Sequence, residues 1–303
     1  MKIGILSMGP HLYSTRRLVE AGKQLGHKVT VLNTLACELV MLRKSPQIFY
    51  RGKVLQVPDV VVPRIGASIT QYGLAVVNQF DMMDVPVVNN SVPIARARDK
   101  LRALQLLARF DIDIPRTLIT RRAEDLDAAV DFIGGYPIIL KILQGTQGVG
   151  VMIASSREEA ATVLDAMWEL GQDMILQEFI RESKGKDVRA LVVGNRVVAA
   201  MRRTARRGEF RSNLHRGAEG KAVRLSKEFE SAAVKAAQVM GLEIAGVDIL
   251  YGRNGPKIME VNSSPGIEGL EKATGLDLAS EVMSHVVAFA DARHRGWNKQ
   301  RLI

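Results

Sequence analysis

The sequence predicts an α/β chain that opens with a small open parallel sheet and continues into one or two further lobes. Three observations carry this. Strand and helix patterns alternate over residues 1–90, the signature of a parallel sheet. The pattern changes at Ser91, where a polar stretch leads into a leucine-spaced helix. The length of 303 residues also exceeds one small core; a chain of this size buries roughly 75% of its unfolded surface and divides into lobes.

Lys2–Met8 is a short apolar run suited to a buried strand. Ser14–Leu25 has helical spacing and stops at Gly26. Lys28–Leu32 and Val60–Val62 read as strands, the latter running into Pro63-Arg64-Ile65-Gly66. Ile69–Met83 reads as a helix and Val85–Asn89 as a fourth strand. Arg64, following a strand, can reach a ligand carboxylate at the carboxyl edge of that sheet or pair with a local acid. No GxGxxG follows the first strand and no GxxxxGK[ST] occurs, so neither a dinucleotide fingerprint nor a P-loop is supported.

Residues 91–110 read as a linker and then a helix, with Asp99 as N-cap and leucines at 101, 104 and 107. Asp111–Thr120 is extended, and Ala123–Ile133 is a helix ended by Gly134-Gly135. Tyr136–Leu143 is a strand whose only charge is Lys141. A lysine there must find an anion or lose much of its charge, unless it is an edge-strand lysine that discourages aggregation. The loop Gln144–Gly150 carries Gly145, Gly148 and Gly150, which lets backbone N–H groups approach phosphate oxygens. Glycines also make plain hairpin turns, so the loop gains meaning only beside the lysine.

Val151–Ala154 is a strand, and Ser156–Leu170 a helix opened by a Ser156/Glu159 capping box. Met174–Ile180 is a strand whose Gln177 and Glu178 either meet an adenine edge and ribose or simply meet water. Asp187–Val193 and Arg196–Met201 flank the hairpin signal Gly194-Asn195. Ser226–Met240 is amphipathic, Leu276–Ala290 is a last helix, and residues 291–303 read as a frayed tail.

The most informative stretch is Val247–Gly266. Two apolar segments flank Gly252–Pro256, whose Asn254-Gly255 signals a tight reversal. Such a hairpin returns Asp248 toward Glu260 and Asn262, which share a face because they are two apart in a strand. Two carboxylates and an amide oxygen are hard ligands suited to Mg²⁺. The plainer alternative is an edge hairpin with solvated acids.

The net charge is +10, and seven basic residues lie between Arg202 and Lys221 against Glu209 and Glu219. Such a block serves nucleic acid, polyphosphate or an acidic peptide, or is a solvated loop. Within it Arg211, Ser212, Asn213, His215 and Arg216 offer varied donors, and His215 has no acid at a spacing that supports a base. The single cysteine, Cys37, excludes an internal disulfide, and no run approaches the ~18 apolar residues of a membrane span. The opening run is too short for a signal peptide. A cytoplasmic, membrane-free protein is expected.

Lys141 with its glycine loop, the QEFI strand end and DIL…MEVNSSPG resemble the ATP-grasp fold, over nearly the whole chain. More narrowly, PRIG at 63–66, residues 95–109, QGTQGVGV, FRSNLHRGA at 210–218 and MEVNSSPGIEG at 259–269 resemble the RimK family of ATP-dependent α-L-glutamate ligases. The resemblance implies an N-terminal pre-ATP-grasp domain (1–95), a first ATP-grasp lobe (96–181), a second lobe with the metal site (182–290) and a flexible tail (291–303). It implies that Asp248, Glu260 and Asn262 bind two Mg²⁺ ions, with Mn²⁺ as the other candidate, and that Glu260 bridges them. It implies nucleotide contacts from Lys100, Lys141, Glu178, Phe179, Asp187, Arg211, Ser212 and Asn213. Glu178 and Phe179 would meet adenine through backbone groups and Asp187 the ribose. Lys141 and Arg203 would act in catalysis, and Arg64, Arg203, His215 and Arg216 would meet substrate.

The family's chemistry phosphorylates a carboxylate with ATP, after which an amine displaces phosphate from the acyl phosphate. Expected partners are L-glutamate and the acidic C-terminal tail of the sixth small-subunit ribosomal protein, within a homo-oligomer that the resemblance makes a tetramer. No direct nucleic-acid target is expected. Two alternatives stand beside this reading. One is an ATP-grasp ligase joining another amino acid to an amino-group carrier protein or a small molecule. The other is a non-catalytic RNA- or ribosome-binding protein, against which the 5% aromatic content argues.

Overall fold

A computed structural model describes residues 1–143, 150–206, 208–212 and 217–300, with residues 123 and 296–300 described for their backbone alone. The N-terminal region runs β1 (Lys2–Ser7), α1 (Tyr13–Gln24), β2 (Lys28–Asn33), β3 (Cys37–Val40), β4 (Gln47–Tyr50), β5 (Lys53–Val54), β6 (Val60–Pro63) and α2 (Thr70–Met82). Strands β2-β1-β6 form the expected parallel sheet, and β3-β4-β5 form a separate antiparallel meander. The meander has no counterpart in the sequence reading, because its strands are too short to show an alternation. The expected fourth strand at 85–89 makes only one parallel bridge, Val61 to Val87. Pro86 has no N–H to extend the ladder.

Residues 91–98, read as a linker, are helical: α3 (Ser91–Arg98) precedes α4 (Lys100–Arg109). Pro93 falls in the first turn, where its missing N–H is not needed. Asp99 breaks the two helices with extended backbone and caps α4, its carboxylate accepting from the Arg102 N–H at 3.0 Å.

The next layer runs β7 (Thr117–Leu118), α5 (Leu126–Ile133), β8 (Ile138–Ile142), β9 (Val151–Ala154), α6 (Arg157–Glu169) and β10 (Met174–Glu178), with sheet order β7-β10-β8-β9. Helices α5 and α6 cover it through Leu126, Val130, Ile138, Leu140, Leu164 and Leu176. Gly134, at φ +109°, closes α5 in the left-handed conformation. At α6 the capping box is offset. The Glu159 N–H donates to Ser156 Oγ, while the Glu159 carboxylate accepts from the Ser155 N–H rather than that of Ser156.

The last layer runs β11 (Lys186–Val193), β12 (Arg196–Thr204), β13 (Glu219–Ala222), α7 (Lys227–Met240), β14 (Ile244–Gly252), β15 (Gly255–Asn262), α8 (Glu268–Thr274) and α9 (Leu278–Gln300). Its sheet order is β13-β12-β11-β14-β15, antiparallel throughout. Helix α7 packs one face through Ala233, Ala236, Ala237 and Met240. The other face shares a core with β1, α1 and α9, through Ile3, Ile5, Leu18, Leu191, Met201 and Met283. Burial on both faces explains the nearly unbroken apolar runs in β11 and β14. Helix α9 continues past Ala290, where the sequence reading placed a frayed tail, as far as Gln300. Residues 301–303 lie outside the described residues. Among the described residues no helix is long and apolar enough to cross a membrane.

One side chain ties the N-terminal region to the last layer. Asn89, 3% exposed, donates from Nδ2 to the carbonyls of Ile244 (2.8 Å) and Ser263 (3.0 Å). Its Oδ1 accepts from the N–H groups of Glu243 (2.7 Å) and Ile244 (3.1 Å). Asn89→Ala leaves these buried backbone groups unpaired. A loss of about 3 kcal/mol is expected in denaturant unfolding, given ~1–3 kcal/mol per orphaned buried group. A loss under about 1 kcal/mol would show that the clasp contributes little.

Candidate active site

The register of the last sheet assembles the site. In β14 and β15 Asp248 stands directly opposite Glu260, and Gly246 opposite Asn262. Across β11, Arg189 pairs with Asp248 and Asp187 with Arg203 of β12. Two-residue periodicity therefore puts Asp187, Arg189, Arg203, Asp248, Glu260 and Asn262 on one face. A register shift after Asp248 leaves Met259 as an extra residue on β15. This bulge lets both Met259 and Glu260 line the same cleft. Gly246 is required here, because a Cβ would come within 2.8 Å of Pro265 Cβ. The hairpin pairs Gly252 with Gly255 around Arg253-Asn254, so the positive φ (+124°) falls on Gly255 after the turn, not within it.

The cleft lies between the four-stranded β7-β10-β8-β9 sheet and the five-stranded sheet, has a cavity volume of about 170 Å³ and opens to solvent. Its apolar walls include Leu104, Ile139, Ile175, Leu250, Met259 and Val261. Its polar lining includes Lys100, Lys141, Asp187, Arg211, Ser212, Asp248 and Glu260. Ligand clefts of this kind combine apolar walls with a few convergent polar groups.

Strand β8 lies between β10 and β9, so Lys141 is not an edge lysine. Its ammonium donates to Gln177 Oε1 at 2.6 Å. Burial, together with repulsion from Lys100, pulls its pKa down to about 8 against the attraction of Glu260 and Asp248. Lys100 opens α4 and donates to the Ile142 carbonyl at 2.8 Å, and burial lowers its pKa too. Glu260 is open to the cleft and accepts no hydrogen bond among the described residues. Crowding in the cleft, and then the charge of Asp248, raise its pKa.

Asp248 is 1% exposed and held by two arginines. It accepts from Arg189 Nε and Nη2, the latter at 2.7 Å, and pairs with Arg203 Nη2 at 3.1 Å. Burial opposes its charge, but these guanidinium groups outweigh it and lower the pKa. Arg203 turns inward at 4% exposure, and its Nε and Nη2 donate to the Asp187 carboxylate at 2.6 and 2.5 Å. Burial opposes its charge as well, yet Asp248 and Asp187 keep it protonated. Ser212 lies near Asp187 and favours its charged form.

Several expectations change. Arg203 was expected to meet substrate and to act in catalysis. In the structure it bridges Asp187 and Asp248 and is buried, since a buried guanidinium needs its counter-ions. Asp187, expected at a ribose, has both carboxylate oxygens engaged by Arg203. Gln177 and Glu178 are not free to read adenine with their side chains. Gln177 also donates to Thr117 Oγ1 at 2.8 Å, and Glu178 accepts from the N–H and guanidinium of Arg116. The Glu178 N–H donates to the Arg116 carbonyl, which leaves the Glu178 carbonyl and the Phe179 backbone as candidates for adenine. Arg64, open between ligand and local acid, has no ion pair among the described residues and donates to the Pro265 carbonyl at 2.7 Å.

The basic block is less open than its count suggests. Arg211 pairs with Glu209, and Lys221 with Glu219. Arg206 Nε donates to the Gly217 carbonyl. Asn213, His215 and Arg216, and the loop glycines 145 and 148, lie outside the described residues. Sequence reasoning missed Arg98 and Arg189. Arg98 lies within the 95–109 stretch but was given no role there, Arg189 lies in no motif, and both bond to partners distant in the chain.

Among the described residues no group of three His, Cys, Asp or Glu is arranged to hold a metal. The candidate set instead has two carboxylates and an amide. Glu260, with an unpartnered carboxylate facing the cleft, fits a hard divalent cation. Asp248 fits through the lone pairs its arginines leave. Asn262 makes only a 3.5 Å contact from Nδ2 to the Gly246 carbonyl.

A RimK PreATP-grasp domain model matches residues 1–94, and a RimK-like ATP-grasp domain model matches residues 97–286. A probable alpha-L-glutamate ligase of Marinomonas sp. is 51% identical over 286 residues, covering 94% of this chain and 95% of that protein. One from Rhodopirellula baltica is 51% identical over 291 residues, covering 96% and 72%. Among solved structures, the ATP-grasp ligase PsnB complexed with minimal precursor superposes with a TM-score of 0.76 at 21% identity, covering 95% and 98%. A RimK domain ATP-grasp protein from Sphaerobacter thermophilus gives 0.69 at 19% identity, covering 95% and 100%. At such identities the structural likeness speaks for the fold.

Proposed function

The chain belongs to the RimK-like ATP-grasp family and is an ATP-dependent carboxylate–amine ligase; from that premise we propose that it adds L-glutamate to the C-terminal carboxylate of a protein. The acceptor we assign is the acidic tail of the sixth small-subunit ribosomal protein. The lobes divide as residues 1–95, 96–181 and 182–290. One observation carries the reading. Asp248, Glu260 and the cations Lys100 and Lys141 line one cleft, with Asn262 two residues along β15 from Glu260 and Glu260 unpartnered among the described residues. The relatives named as glutamate ligases support the choice of amino acid.

In this reading the apolar walls hold adenine against the Glu178 carbonyl and the Phe179 backbone, and Lys100 and Lys141 hold the phosphates. Asp187, Arg203, Arg211 and Ser212 brace that side. Glu260, Asn262 and Asp248 hold one or two Mg²⁺ or Mn²⁺ ions, which when bound offset phosphate charge. That offset matters, because unit charges about 4 Å apart repel by about 4 kcal/mol at an effective dielectric of 20. A carboxylate oxygen of the acceptor attacks the γ-phosphorus and ADP leaves. The amine of glutamate then attacks the acyl carbonyl, phosphate departs, and the nitrogen loses a proton.

The test is reaction with ATP, labelled glutamate or lysine, and purified ribosomal proteins, read by mass spectrometry. Glutamate units on one acidic C-terminus are expected. Lysine incorporation, or no modified ribosomal protein, would overturn the assignment. The reading as a non-catalytic RNA- or ribosome-binding protein falls with the family membership.

A second expectation concerns pH. Lys141 has a pKa of about 8, and a triphosphate beside it favours the protonated form. Binding therefore takes up protons once the pH exceeds about 8. Affinity falls with rising pH there, by at most tenfold per unit. Titration calorimetry in buffers of differing ionisation heat measures the uptake. Equal uptake at pH 6.5 and 8.5 would count against it.

A further inference from the structure

We propose that Arg98, together with Arg64, forms a carboxylate-binding site between the carboxyl edge of the N-terminal sheet and the end of β15. One of the two carboxylate-bearing reactants is held there. Only the choice of reactants rests on the ligase reading above.

Arg64 follows β6, and its guanidinium is anchored on the Pro265 carbonyl, three residues beyond Asn262. Arg98 ends α3 and is anchored through Nη2 on the Ile65 carbonyl, one residue after Arg64. These anchors bring two guanidinium groups to one junction. Each carries five N–H donors, far more than a single carbonyl satisfies. The Nε of Arg98 is buried and has no partner. Neither arginine has a carboxylate within ion-pair distance among the described residues. Glu260 is the acid that attracts Arg98, and it does so from beyond that distance.

This arrangement is unfavourable by itself. Burial, and then the charge of Arg98, bring the Arg64 pKa down to about 10. Half-buried cations without a counter-ion are unfavourable, and a ligand that supplies the missing anion relieves them. A planar carboxylate matches the guanidinium fork and a bare phosphate dianion is not required. The stretch joining Asn262 to Pro265 adds the hydroxyls of Ser263 and Ser264, both buried without partners. The site adjoins Glu260 and Asn262, where phosphoryl transfer is assigned, and the carboxyl ends of β1 and β6, where open sheets of this kind bind ligands.

The test measures binding by titration calorimetry to the full chain with AMPPNP and Mg²⁺. The probes are L-glutamate, a short acidic peptide ending in two glutamates with a free or amidated C-terminus, and citrate. Arg98→Gln and Arg64→Gln should each weaken a carboxylate probe by roughly 10- to 100-fold. Arg98→Lys should recover part of that loss. Circular dichroism and nucleotide affinity report whether each variant is folded. A loss confined to the free peptide, mimicked by amidation in the wild type, assigns the acceptor's C-terminus. A loss confined to glutamate assigns the amino acid. Citrate binding that depends on both arginines, in a wild type that does not ligate glutamate, would keep the site and remove the glutamate reading. Affinities within twofold across all variants, or a wild type that binds none of the probes, would overturn the site.

Discussion

Glu260→Gln is expected to lower ligation by about 10³-fold without loosening the fold. The substitution keeps the shape and removes the unpartnered charge that faces Lys100 and Lys141 across the cleft. Removing one electrostatic contact to a developing transition state typically costs 10²- to 10³-fold, and loss of a cation clamp adds to it. The sign of the stability effect is separate. The folded pKa of Glu260 lies above its unfolded value, so the native state binds more protons. Its carboxylate therefore weakens folding as the pH rises through that window, and at neutral pH the weakening is already present. Glutamine relieves it, so the unfolding midpoint should hold or rise. ADP release in the presence of acceptor and glutamate, beside a denaturant titration, measures both. Normal turnover would remove Glu260 from the metal site, and a collapsed midpoint would make it structural.

Lys141→Ala is expected to weaken ATP binding by roughly 10- to 150-fold, the equivalent of ~1.5–3 kcal/mol for hydrogen bonds to a charged partner. The lysine is poised for this role because its strand is interior and, among the described residues, its hydrogen-bond partner is the neutral Gln177. The folded pKa of about 8 lies below the unfolded value. The ammonium thus opposes folding below pH 8, and that opposition fades as the pH rises toward the unfolded value. Alanine should therefore not destabilise the protein at pH 7 through charge, although its lost packing offsets part of the gain. Equilibrium binding of a fluorescent ATP analogue separates the two effects. Unchanged affinity would leave the phosphates to Lys100 and the glycine loop.

The parts of the site that were legible in the sequence are local. The hairpin at 247–266 announced itself by its turn residues and by acids at a two-residue spacing, and the register set Asp248 opposite Glu260. Lys141 stood out because one charge in an apolar strand demands an anion. The caps at Asp99 and Ser156 depend on residues three apart and were readable for the same reason. Asp248 was read as a metal ligand without the two arginines, Arg189 and Arg203, that clamp it. Nothing within a few residues of Asp248 signals either arginine.

The sequence by itself determined the α/β class, the parallel N-terminal sheet, the acid hairpin and the lysine strand, because period-two and period-3.6 patterns and turn chemistry act over short stretches. Only the tertiary structure decided which charges face the cleft. The fold makes Arg203 a bridge between Asp187 and Asp248, since its counter-ions come from two other strands. The bulge at Met259 aimed Glu260 into the cleft, and it exists only in the pairing with β14. Arg98 gained its place because α3 packs where a linker was expected. In each case the deciding free energy is a long-range one, the desolvation of a charge against the partner that the fold brings to it.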